Sequence, residues 1–143
     1  MTVNVLKASS YSLTFAGASS NPADATTYYY GSLYSLTQQT TAGINRVYVP
    51  VAGTIIACAG MMTIGGTPGS SETSTLSLRL NDTTDTTITT TFTADNLRSL
   101  FSNTALSIAV AALDYLELKW VTPTWITTNP TSVIPHMTVV VEV

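Results

Sequence analysis

Charge is the first thing this sequence has little of. Asp, Glu, Lys and Arg make up 9% of its 143 residues, against about 25% in an ordinary soluble domain. Only five residues are Lys or Arg, the formal net charge is −3, and no two basic residues are adjacent. Nucleic-acid binding draws its affinity from counterions released by a basic patch, so that class is excluded. Long apolar runs are missing too. The longest, residues 47–64, is interrupted by Pro50, Gly53, Gly60 and Thr residues, whereas a bilayer span needs ~18–20 uninterrupted apolar residues. No membrane span is expected. Residues Met1 to Lys7 place no basic leader before an apolar stretch, so no signal peptide is expected either.

Cysteine and histidine occur once each. Cys58 has no internal disulfide partner, and Ile55, Ile56, Ala57 and Ala59 around it suit a buried small hydrophobe. One Cys and one His leave zinc without a ligand set. His136 lies in Pro135-His136-Met137 at the start of a strand, with no Gly-x-Ser-x-Gly elbow in the chain for it to serve. The carboxylates Asp82, Asp85, Asp95, Asp114, Glu117 and Glu142 are scattered over turns and outward positions, not paired as glycoside hydrolysis requires. The loop Gly65-Gly66-Thr67-Pro68-Gly69-Ser70-Ser71 has no Lys and leads from strand to strand, so it is no phosphate cradle. Neither catalysis nor a cofactor is expected.

What is present is apolar material and hydroxyls. Hydrophobic residues form 45% of the chain and mean hydropathy is +0.29, with Thr and Ser filling the polar quota. Such a surface stays hydrated without strong fields and lets like subunits approach with little repulsion. The composition favours a β-protein, because Thr, Val, Ile and Tyr fit a pleated, half-buried surface.

Strand signals recur along the chain. They cover residues 3–7, 11–15, 43–51, 53–64, 74–80, 86–92, 106–112, 115–121 and 137–143. Residues 53–64 are the most apolar and should be central. Leu76, Leu78 and Leu80 should face one way, with Ser77 and Arg79 opposite. Leu116 and Leu118 should face the core, with Glu117 and Lys119 outward. Residues 106–112 and 115–121 should form a hairpin about Leu113-Asp114. A helix of one or two turns is expected over 94–101, capped by Thr93. The apolar strand at 137–143 belongs inside a sheet or at a subunit interface, since an exposed edge of that composition would aggregate. An antiparallel two-sheet β-sandwich of jelly-roll type satisfies this spacing. Residues 41–143 would form the sandwich, and residues 1–40 an arm or its first strands.

The candidate binding residues are aromatic. Trp125 lies in a proline-bracketed loop, Pro123 to Pro130, where it could contact a partner or a glycan. Trp120 ends a strand and is read as core or interface. Tyr28, Tyr29 and Tyr30 form a triplet of an interface-enriched type. The loop Asn81-Asp82-Thr83-Thr84-Asp85 offers oxygens of the kind Ca²⁺ takes, chiefly Asp82 and Asp85. It lacks the spaced pattern of an EF-hand, and Asn and Asp are also the expected turn residues. No metal is expected.

Two segments carry a family resemblance. Arg46-Val47-Tyr48-Val49-Pro50-Val51-Ala52-Gly53-Thr54-Ile55-Ile56 resembles the strand pair of C1q/TNF-like jelly rolls, where an apolar strand begins at an Ala-Gly step. The segment from Leu106 to Leu118 resembles the later hairpin of that family, with Leu113 where a Gly normally precedes the Asp. Over residues 44–143 the pattern is similar to phage and prophage virion proteins. The resemblance implies a homotrimeric virion structural protein, a capsid decoration or head-fibre subunit that contacts the major capsid protein. The alternative reading is a receptor- or glycan-binding module of a tail tip, reading a host surface glycan through end loops such as residues 122–129 and 65–72.

Overall fold

Strands are the only regular elements in the computed structural model, which describes residues 9–32, 39–68, 72–93 and 98–143. In chain order they are β1 (Ser10–Ala16), β2 (Ser19–Ser20), β3 (Thr27–Tyr30), β4 (Val47–Tyr48), β5 (Gly53–Gly65), β6 (Thr73–Leu80), β7 (Thr84–Thr93), β8 (Arg98–Asn103), β9 (Ile108–Val110), β10 (Tyr115–Val121) and β11 (Ser132–Glu142). The first sheet runs β1-β11-β5-β8, with β2 beside β11 and β9 beside β5. The second runs β3-β10-β6-β7, with β4 beside β10. Every pairing is antiparallel. With the short β2, β4 and β9 set aside, the remaining eight strands take the two-sheet order of a jelly roll.

Alternation builds the core. On β11, Val133, Met137, Val139 and Val141 are fully enclosed and face inward, opposite Leu76, Leu78, Leu116, Leu118 and Trp120 of the second sheet. Each side chain of this size contributes ~1.5–3 kcal/mol by leaving water. Pro135 stands in a central strand, where its missing N–H is normally excluded. It falls where the ladder to β1 has ended at His136 and that to β2 has not begun at Val133.

The strands expected at 11–15, 53–64, 74–80, 86–92 and 115–121 are β1, β5, β6, β7 and β10. Residues 53–64 are central, between β11 and β8, and the C-terminal strand lies between β1 and β5. Residues 10–30 supply β1, β2 and β3 to both sheets.

Four expectations are corrected. Residues 106–112 and 115–121 form no hairpin: β9 pairs with β5 and β10 with β6. The turn between them, closed by Asp114 N–H donating to the Ala111 carbonyl, carries the chain from one sheet to the other. Arg98–Asn103 is a strand, because Cys58 to Thr63 offers it a continuous ladder that outweighs the weak signal of a one-turn helix. The rest of that helix, residues 94–97, lies outside the described residues, as does the strand expected at 3–7. Only Val47 and Tyr48 of residues 43–51 pair, since the loop before them is drawn over the second sheet. Glu117 has the outward facing expected of it but is fully buried.

Candidate interaction surfaces

Four of the five aromatic candidates, Trp120, Trp125, Tyr28 and Tyr30, lie in the core, whereas Tyr29 faces outward beside Lys119. Trp120 and Tyr28 stack at 5.7 Å, and Trp125 lies 6.3 Å from Trp120. Trp120, Tyr28 and Tyr30 are enclosed, and Trp125 is 6% exposed. Their polar atoms are engaged: Trp120 Nε1 donates to Ser74 Oγ at 2.9 Å, and Trp125 Nε1 to the Pro22 carbonyl at 3.0 Å. Tyr28 Oη accepts from Ala23 N–H, and Tyr30 Oη shares a hydrogen with Ser19 Oγ at 2.6 Å. Burial pushes the Tyr30 phenol well above its ordinary value. The loop around Trp125 is folded over one end of the sandwich, where Ile126 N–H donates to buried Glu72. No tryptophan offers a free face.

The outer face of the second sheet holds most of the scarce charge. Three of the five basic residues (Arg46, Arg79, Lys119) and four of the eight acidic ones (Asp82, Asp85, Asp114, Glu117) meet there or at its end. Arg46 contacts Asp82 at 3.1 Å and lies 4.1 Å over the Tyr115 ring. Tyr115 Oη donates to the same Asp82 oxygen at 2.9 Å. Asp85 binds Arg79 at 2.8 Å and Lys119 at 2.5 Å. Burial pushes the Asp85 carboxyl up, but its bonds to Lys119 and Arg79 outweigh that and hold it below the usual carboxylate range.

At the centre is Glu117, fully buried although its register partner is Arg79. Its oxygens accept the Gly43 N–H at 3.0 Å and the Asn45 N–H at 3.2 Å. The carboxylate therefore clasps the loop before β4 onto the sheet. Asn45 Nδ2 completes the cover by donating to the Tyr29 carbonyl at 3.0 Å, which leaves Tyr29 9% exposed. Gly43 adopts φ +82°, a conformation L side chains rarely take, so the turn favours glycine. Burial pushes the Glu117 carboxyl up; the two loop amides oppose the shift and nearby Asp82 adds to it.

Asp82 and Asp85 thus each meet a cationic side chain. Among the described residues no group of three or more His, Cys, Asp or Glu could hold a metal. Asn81 and Asp82 have positive φ, and Thr83 N–H donates to the Leu80 carbonyl, the geometry of a type I′ hairpin turn. Leu113 also has positive φ, at 72°, and is 78% exposed.

The outer face of the first sheet is the opposite in character. It presents Ser12 and Thr14 from β1, His136, Thr138 and Val140 from β11, Ala57, Ala59, Met61 and Thr63 from β5, and Leu100 and Ser102 from β8. Leu100 is 76% exposed, Ile134 50% and Met61 37%. Among the described residues charge occurs on this face at its margins alone, as Arg98 and Glu142. A shallow hollow of about 400 Å³ opens beside Ala59, Leu100 and Ser102. His136 is exposed there, with Met61 and Ala16 as its cross-strand neighbours. Cys58 points the other way, into the core, where burial pushes its thiol up. The sequence signal for this face is legible in part: no residue of β5 is charged and β11 has Glu142 alone, though nothing in the alternation says which strands would share the face.

No family model matches the chain, and no curated protein matches it. Among solved structures, the crystal structure of FLHE is similar over 95% of this chain and 100% of that one, with a TM-score of 0.52 and 13% sequence identity. At that identity the likeness is one of fold. Among the described residues no helix is long and apolar enough to cross a membrane.

Proposed function

We propose that the chain is a structural subunit of a phage particle, a homotrimeric capsid decoration or head-fibre protein acting by self-association and docking on the major capsid protein. The observation that carries this reading is the outer face of the first sheet. Leu100, Ile134 and Met61 stand exposed there among Ser and Thr, with no ionised side chain between them among the described residues. A second protein can cover such a face without stripping water from charges. The jelly-roll strand order is in keeping with the virion resemblance, although fold alone does not fix role. The alternative, a glycan- or receptor-reading module of a tail tip, has no tryptophan to stack on, since both are buried.

Light scattering of the purified chain tests the assembly. A mass well above 15.1 kDa, in whole multiples, is expected; a monomer at every concentration removes the reading. An antibody against the chain is expected to label purified phage particles. Label found on free protein alone would remove the particle and leave the oligomer.

A further inference from the structure

We infer that the outer face of the first sheet seats a second copy of this chain, face to face across a two-fold axis. The inference rests on the self-association proposed above and assigns it a surface and a symmetry.

Charge is the first argument. A two-fold contact places a surface against itself, so any charge inside it meets its own sign. Among the described residues this face has none inside, and His136 is the one central titratable group among them. The margins are complementary. Arg98 lies at the Thr63 end of β5 and Glu142 at the Thr54 end. A two-fold rotation that reverses the strands brings Arg98 of each copy to the end that holds Glu142 of the other.

Area is the second. With ~3.4 Å per residue along a strand and ~4.8 Å between strands, the first sheet presents about 700 Å². A face-to-face pair would bury about 1,400 Å², within the ~1,200–2,000 Å² of stable interfaces. The relief also suits self-pairing, because one face carries both projecting side chains, Leu100 and Ile134, and a hollow beside Ala59 and Ser102. This contact is distinct from a three-fold one. Alone it gives two copies; joined to a trimer it gives six.

The test compares solution masses of the wild type, the double variant Leu100→Asp/Ile134→Asp, and Leu113→Asp. The last adds a charge at an equally exposed position off this face. All three sites are exposed, and circular dichroism with thermal unfolding checks that each variant folds. The wild type is expected at two or six copies. The double variant should be at half that number, with dissociation constants raised roughly 100-fold or more by like charges set face to face. Leu113→Asp should match the wild type. A double variant with wild-type mass, or a wild-type trimer, overturns the face-to-face contact and leaves self-association through another surface. A monomeric wild type overturns both.

Discussion

The two outer faces of this sandwich were built from the same poor stock of charge and used it in opposite ways. On the second sheet the ions are gathered and consumed internally: Arg79 and Lys119 share Asp85, Arg46 holds Asp82, and Glu117 is sealed beneath a loop that it anchors. On the first sheet the same alternation presents hydroxyls, small apolar groups and three projecting hydrophobics. Low overall charge therefore does not mean charge spread thinly. A face rich in ion pairs fixes its own loop, and a face without them is left able to meet another surface at little desolvation cost.

Substitutions should separate the faces by the size of their effects on unfolding. The largest is expected from Glu117→Ala, which leaves the buried Asn45 amide and the part-buried Gly43 amide without an acceptor. Orphaned donors cost ~1–3 kcal/mol each, so a loss of about 3 kcal/mol is expected in urea denaturation. A loss below about 1 kcal/mol would mean the carboxylate is no clasp.

A smaller effect is expected from Asp85→Asn, about 1 kcal/mol or less, because its partners are only partly shielded from solvent. Its pH dependence has a definite sign. The folded Asp85 carboxyl titrates below its unfolded value, so its contribution is present above the ordinary aspartate range and is lost as pH falls through the folded value. Wild type and Asp85→Asn should therefore converge in strongly acidic urea titrations. Curves that stay parallel down to acid would show that the ion pairs carry no stability.

The smallest effect is expected on the first sheet. Thr138→Ala should change unfolding by no more than ~0.5 kcal/mol, measured in the Leu100→Asp/Ile134→Asp background, where this face is unpaired. A larger loss there would show that the hydroxyl face is itself structural, and would weaken the contrast between the two sheets.

Much of the architecture could be read from the residues, and the physical limit of that reading is visible at particular positions. Leu76, Leu78, Leu116 and Leu118 alternate with polar residues, and a period of two fixes which side chains share a face. All four are core. Glu117 obeys the same period and lies on the outer face, yet is buried, because a loop more than 70 residues earlier in sequence covers it. Leu113-Asp114 reads as a hairpin turn from its flanking strands, but pairing is a property of two strands, and the partner of β9 is β5. Trp125 sits in a loop by every local signal. Only the position of Pro22, whose carbonyl takes its indole N–H, encloses it.

The sequence by itself determined an all-β chain, the facing of most strands, a core of branched aliphatic and aromatic residues, and the absence of a basic patch. These follow from composition and period, which are local. Tertiary structure decided which strands became neighbours, that Trp120, Trp125 and Tyr28 would pack inside, and that most of the charge would gather on one sheet while the described residues of the other carry it only at the margins. Those outcomes depend on contacts between residues far apart in the chain, and no local pattern encodes a distant partner.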